Sequence, residues 1–231
     1  MEIKGLIYSN QLSIFGKPNV VGYSNGKLHV EEIDRDKSND LIREHHYSHK
    51  IYNGTYIHLG VYIDTMLVGV LQYGYAMNPA SCDGVVKGTE MNQYLELNRM
   101  WLDDIAARNS ESMAISCSIV YIKHRYPKIK WIQSFADERC NCFGIVYQAC
   151  SFSYYGEHNS IFWECDGEVF HNSIKTSRKA GKRGYDILNA EENKDKVSRY
   201  ELRQFRYIKF LDVSWKKKCR LKEVPYPKYY K

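Results

Sequence analysis

Apolar and polar positions change period several times along the chain, and each change marks an element. Residues 27–33 (KLHVEEI) alternate, which predicts a strand. Residues 34–39 are a polar break, with Ser38 placed to cap a short helix over 41–47. Residues 56–64 (YIHLGVYID) and 67–75 (LVGVLQYGY) read as two strands whose short connection predicts an antiparallel hairpin. Gly60, Gly69 and Gly74 mark bulges or close backbone approach within them. Residues 76–93 (AMNPASCDGVVKGTEMNQ) form a long polar loop of a kind uncommon unless functional, and its place before the next strand predicts a lid.

The stretch 94–152 organises the rest. It reads as strand, turn, helix, strand, turn, helix. A βαβα unit with polar groups at its strand ends places a site at the carboxyl edge of the sheet. After it, residues 154–168 predict a hairpin turning at Asp166-Gly167. Residues 175–184 are a basic loop, 194–204 a helix, and 206–212 a last strand. The end, 215–231, is basic, aromatic and Pro-bearing.

Charge changes this picture. Residues 1–170 carry 15 Lys and Arg against 20 Asp and Glu, a net of −5; residues 171–231 carry 18 against 7, a net of +11. A basic, aromatic last quarter predicts a polyanionic partner, most simply nucleic acid. Its cations Arg178, Lys179, Lys182, Arg183, Lys216, Lys217 and Lys218 are the candidate DNA contacts. The division expected is a catalytic core over 1–170 and a basic segment over 171–231 packed on it. Seven cysteines and no apolar leader fit reduced thiols in a cytoplasm. No apolar run approaches the roughly 20 residues of a membrane span. Cys140 and Cys142 are spaced more tightly than zinc-knuckle pairs, and no second pair completes a site.

Several polar residues stand where chemistry would need them. Arg99 interrupts an apolar strand and, by period two, shares a face with Leu97 and Trp101. A guanidinium there needs an anionic partner, Asp137 or Glu96 by position, and that pair is either structural or part of a cleft. Asp137 ends a strand and suits a general base, a metal ligand or a plain turn cap. His45, His46, Tyr47 and His49 cluster at a helix end, either as metal-binding imidazoles or as ordinary surface. Asn109 or Ser110 is placed to cap the following helix, whose first amides also suit a phosphate; this makes Arg108, Asn109, Ser110 and Ser112 the candidate cofactor contacts.

The order of elements resembles the GNAT acyltransferase fold, and Gly144-x-x-Tyr147-x-x-x-x-Phe152 looks like its fourth helix. In place of the Gly-rich pyrophosphate loop the chain has Arg108 to Ser112, with no glycine. Within that superfamily the chain resembles the phage Mom-type DNA-modification proteins. The resemblance rests on His46-Tyr47-Ser48, Glu96-Leu97-Asn98-Arg99-Met100-Trp101, the 108–112 turn, Phe135-Ala136-Asp137 and Gly144-x-x-Tyr147-Gln148-Ala149. Arg206-Tyr207-x-x-Phe210-Leu211-Asp212 and Pro225-Tyr226-Pro227-Lys228 extend it, so that it covers about residues 40–228.

The resemblance implies an α+β protein with a GNAT-like, mostly antiparallel sheet flanked by helices. It implies a transferase that converts adenine in phage DNA to an N6-carbamoylmethyl form, shielding the genome from host restriction in the host cytoplasm. Asp137, Arg99, Tyr47 and Tyr147 would be its catalytic residues. His46, Tyr47 and Asp137 would be the ligands of a ferrous iron. The substrate would be double-stranded DNA with a flipped adenine, and the donor an acyl-CoA or another activated glycine-type group. Two rival readings are a GNAT N-acyltransferase acting on a small amine or protein, told apart by acetyl-CoA binding, and a non-catalytic DNA-binding protein, told apart by dispensable Arg99 and Asp137.

Overall fold

The computed structural model describes residues 6–8, 20–23, 28–141, 143–176 and 183–228. It is an α+β fold with a large, mostly antiparallel sheet and helices packed on it. The chain forms two compact units: Met1–Ser134 with Ile145–Tyr155 and Tyr207–Lys231, and Phe135–Gly144 with Gly156–Arg206. The basic last quarter is therefore shared, residues 171–206 going to the second unit and 207–231 to the first.

In the first unit the strands run β1 (Leu6–Tyr8), β2 (Val20–Tyr23), β3 (Leu28–Glu32), β4 (Thr55–Ile63), β5 (Met66–Gly74) and β6 (Tyr94–Leu102), each antiparallel to the next. β6 then pairs in parallel with β7 (Trp131–Asp137), Leu95 opposite Ile132. This parallel pair is joined by α3 (Ser110–Arg125), as a parallel crossover requires. The expected hairpin is β4–β5. Gly74 is its closest approach: a Cβ there would strike the Gly54 carbonyl oxygen.

The two faces of this sheet carry different helices. Tyr73 points its hydroxyl to Ser118 of α3, 2.5 Å away. Its neighbour Gln72 points the other way, to α1 (Arg35–His45), donating to Ser38 Oγ at 2.8 Å and Asn39 Oδ1 at 3.1 Å. Helix α1 starts six residues earlier than the apolar pattern predicts. Its cap is Asp34, whose carboxylate accepts from the amides of Asp36 and Lys37. Ser38, expected as the cap, lies inside the helix and is fully buried. The pattern missed this because α1 buries a polar stripe, Ser38 and Asn39, with Ile42 its only buried apolar residue.

Residues 76–93 are not a bare polar loop. They hold α2 (Cys82–Val85) between short 3-10 turns. Cys82, Val85 and Val86 pack into a core with Tyr94, Trp131 and Trp215. Val86 bridges Cys219, and Arg220 donates its amide to the Val85 carbonyl at 2.9 Å. The partner that orders the loop thus lies more than a hundred residues downstream, beyond the reach of any local pattern. Trp215→Ala is expected to destabilise the protein by about 3–5 kcal/mol through the cavity it leaves. Denaturant unfolding would measure the loss, and trypsin should then cut at Lys216, Lys217 and Lys218.

In the second unit the order is β7, β10 (Ser198–Phe210), β8 (Ser153–Cys165), β9 (Glu168–His171), with the parts of β7, β8 and β10 that belong to it. The β8–β9 hairpin turns at Asp166 (φ 50°) and Gly167 (φ 81°), as expected from an Asp-Gly pair. A small core of Cys165, Phe170 and Leu188 is closed by α6 (Arg183–Asn189). The helix expected over 194–204 is absent: a 3-10 turn at 191–193 leads into β10, which continues through 206–210 as one 13-residue strand. Charged residues on its exposed positions masked the alternation.

Candidate functional site

A bulge in β6 sets the direction of Arg99. Tyr73 pairs with Leu97 and Gln72 with Arg99, so Asn98 is an extra residue between them. The slip of one residue turns Arg99 to the α1 face, away from Leu97. Strict alternation, which put Arg99 on the face of Leu97, fails here. Trp101, opposite Val70, stays on the face of Arg99 and stacks on His45 of α1 at 4.2 Å. The Arg99 guanidinium donates to the Lys50 carbonyl (Nε, 3.1 Å) and to the Asn98 carbonyl (Nη1, 2.7 Å). It therefore fastens the segment that follows α1 to the bulge.

That segment carries His46 and Tyr47. His46 closes α1, its amide donating to the Ile42 carbonyl at 3.2 Å, and its ring is 6% exposed. Its Nδ1 accepts from the Ser48 amide at 3.1 Å and lies 2.8 Å from Ser48 Oγ. Tyr47 lies against the His46 ring at 4.3 Å with half its surface open to solvent. His49 adopts a left-handed φ of 49° and reaches back to the Arg43 carbonyl, completing the turn.

Beside Arg99 lies a cluster that sequence reasoning named only in part. Glu96 accepts from Asn98 Nδ2 (3.1 Å) and from Gln133 Nε2 (2.8 Å), which ties the parallel strands β6 and β7 together. Burial raises the Tyr52 phenol above its ordinary range; the Glu96 carboxylate adds to this and Arg99 opposes it. Tyr56 and Tyr75 meet at 5.0 Å, and burial pushes Tyr56 up strongly. The abundance of tyrosine was the only signal for this rim.

The turn before α3 does not cap it as expected. Asn109 occupies the cap position in a left-handed conformation (φ 72°) and makes no side-chain cap bond; Ser110 is buried inside the first turn. Ser112 Oγ donates to the Asn109 carbonyl, and Arg108 and Asn109 are exposed. The Ser112 carbonyl accepts from Cys150 Sγ at 3.3 Å, joining this turn to the end of α4 (Ile145–Ala149). Tyr147 of α4 is buried between the rings of Phe152 and Tyr207.

Asp137 belongs to the second unit. Its Oδ1 accepts from the Arg139 amide (3.0 Å), and its Oδ2 from Arg139 Nε (2.9 Å) and Nη2 (2.5 Å). The side chain is 8% exposed, pairs with the Arg139 guanidinium and caps a 3-10 turn. Glu138, the next residue, is held by Arg203 of β10 through its amide and guanidinium, and Arg203 lowers the Glu138 carboxyl below its ordinary range. This second pair fixes the turn that presents Asp137.

With this geometry in hand, the comparisons decide the family. The model of the Mom protein family matches residues 27–228. The chain belongs to the Mom family. It is 42% identical over 231 residues to the methylcarbamoylase Mom of Escherichia phage Mu, covering 98% of this chain and 95% of that protein. Among solved structures it is similar to a ribosomal-protein-S5-alanine acetyltransferase from Vibrio fischeri, with a TM-score of 0.46 and 13% identity over 82% of this chain and 95% of the other. A GNAT-family acetyltransferase from Streptococcus pneumoniae gives a TM-score of 0.44 and 9% identity over 80% and 100%.

The ferrous iron that the resemblance implies would draw on His46 and Tyr47 of the first unit and on Asp137 of the second. A histidine that binds metal through one ring nitrogen carries its proton on the other and donates it. In His46, Nδ1 accepts an amide hydrogen bond, which places the proton of the neutral ring on Nε2. Among the described residues no three His, Cys, Asp or Glu side chains form a group that could hold a metal ion.

Of the candidate DNA contacts, Arg178, Lys179 and Lys182 lie outside the described residues. Arg183 pairs with Glu168 (2.7 Å), Lys216 with Glu223 (2.6 Å), and Lys218 sits 3.8 Å over the Trp215 ring. All four described candidates, Lys217 included, are exposed.

Proposed function

We propose that this chain is a transferase that places a carbamoylmethyl group on the exocyclic amine of adenine in DNA. The observation that carries this is its 42% identity, across nearly its whole length, to a phage methylcarbamoylase. The adenine amine is a poor nucleophile because its lone pair is delocalised into the ring. It also lies inside the duplex, so the base is extruded before reaction. As the new bond between N6 and the CH2 carbon of the transferred group forms, the bond from that carbon to the donor breaks, the donor's leaving group keeps the electron pair, and nitrogen loses a proton. Asp137 is the acceptor: its carboxyl group is held in one orientation by Arg139 and by its own turn. Positioned general bases contribute about 10²–10⁴ in rate.

Within the first unit, Arg99 holds the His46–Lys50 segment, with its half-exposed Tyr47 ring, in place. The amides at the start of α3, which lack a side-chain cap, suit an anionic group of an activated glycine-type donor. The exposed lysines at 216–218 supply phosphate contacts. On this reading the substrate, phage DNA, sets the place of the reaction: the host cytoplasm.

The test is mass spectrometry of nucleosides from the DNA of cells expressing the chain. A heavier deoxyadenosine is expected, with a mass increment equal to the transferred group, and the same DNA should resist restriction enzymes that read adenine. An unchanged nucleoside profile with soluble, folded protein, in a host that supports phage Mu modification, would count against the reading.

A further inference from the structure

In the second unit, β7, β8 and β10 share one face on which rings and guanidiniums alternate. On β7, Phe135 lies two residues before Asp137, so both point to the same side. The His158 ring of β8 meets Phe135 edge-on at 5.5 Å, and the Arg206 guanidinium of β10 lies 5.1 Å from the centre of the same ring. Further along, Arg139 lies 4.3 Å over Phe162, which stacks on Tyr200 at 6.1 Å. Gln204 accepts from Ser160 at 2.9 Å between the two groups and holds β8 and β10 in register.

A packed core would exclude these guanidiniums, and an ordinary solvated sheet face would not carry this many rings. Phe162 is buried beneath Arg139, but Phe135 and Tyr200 are half-buried and His158 is exposed. Desolvation first, and the Arg206 guanidinium second, lower the His158 pKa below its ordinary value, which favours the neutral ring. Neutral rings with accessible faces stack on nucleobases whatever the base. The row also adjoins the candidate base: the Tyr200 phenol is pushed up by burial, with Arg139, Glu164 and Asp137 as its charged neighbours.

We propose that this face is a stacking platform for one DNA strand, on which Phe135, His158 and Tyr200 receive the bases beside Asp137. The proposal rests on the DNA-modifying reading for its partner and deepens it, because it names the form of DNA that is bound: a locally opened, single-stranded segment. Arg139 is balanced by Asp137, so stacking rather than charge dominates the attraction here. The lysines at 216–218 would act in the opposite manner, through counterion release.

The experiment uses the full chain and a 12-mer of deoxyadenylate carrying 2-aminopurine, whose fluorescence is quenched when it stacks. Wild-type protein is expected to bind and quench it. The double variant His158→Ala/Tyr200→Ala should bind about tenfold or more weakly, at low and at high salt alike. Tyr200→Phe, which keeps the ring, should bind like wild type. The single variant His158→Ala, at an exposed position, serves if the double variant folds poorly, and should still lose quenching. Changing Lys216, Lys217 and Lys218 to Ala should weaken binding at low salt only.

A folded double variant that binds within twofold of wild type would overturn the platform, as would failure of the wild type to bind the 12-mer. Ring-dependent binding without any heavier deoxyadenosine in cells would support the platform and remove the proposed reaction. Full modification in cells by a double variant with unchanged binding would remove the platform and leave the reaction standing.

Discussion

Asp137→Asn should reduce adenine modification at least about 100-fold while leaving the protein folded. The loss follows from removing the proton acceptor, whose contribution is of order 10²–10⁴. The fold should survive because the amide oxygen of Asn still accepts from the Arg139 backbone N–H, the bond that closes the turn. The charged contacts to the Arg139 guanidinium weaken, at about 1.5–3 kcal/mol for a hydrogen bond to a charged group. A modest fall in melting temperature is therefore expected together with a near-complete loss of the heavier deoxyadenosine. Asp137→Ala should lose activity as completely and cost more stability, because it removes both contacts of the turn. Nucleoside mass spectrometry beside a thermal melt separates the two effects. Wild-type levels of modification in a folded Asp137→Asn variant would mean that the proton goes elsewhere.

The second large effect is expected at Arg99. Its two carbonyl contacts, to Lys50 and Asn98, join the bulge of β6 to the segment that carries His46 and Tyr47. Arg99→Ala should release that segment, lowering modification by about 10–100-fold if positioning of the base depends on it. Arg99→Lys should recover little, because an ammonium lacks the fixed fork that reaches two carbonyls at once. Limited trypsin digestion reads the structural half of the claim directly. Lys50 is half-buried in the wild type, and cleavage after it should accelerate in the Ala variant. Loss of modification without faster cleavage would assign Arg99 to contact with substrate or donor instead of to holding the segment.

The two predictions also mark where period-based reading of the chain succeeds and fails. The Asp166-Gly167 turn was legible because two consecutive left-handed residues need that chemistry wherever they occur. The β4–β5 hairpin was legible from alternation and a short connection. Arg99 was correctly singled out as a charge in an apolar strand, but its face was assigned wrongly. A bulge adds one residue without leaving a mark in hydropathy, and one residue reverses every side chain that follows. Helix α1 was cut short because it buries Ser38 and Asn39 against Gln72 and His58, a polar interface that looks like surface in the sequence. The strand β10 was read in part as a helix because its exposed positions carry charges.

What the sequence determined by itself was local and chemical. It set the βαβα order around Arg99 and Asp137, the cationic last quarter, and the motifs that place the chain in the Mom family. These depend on residue type and on spacing of a few positions, which a linear reading contains. The tertiary structure decided which groups meet. It gave Asp137 to Arg139, Glu96 to Asn98 and Gln133, and the loop at 76–93 to Trp215. It also aligned Phe135, His158 and Tyr200, drawn from three strands, on one face. Such pairings follow from burial and strand register across separations of up to a hundred residues or more, where no local period carries the information.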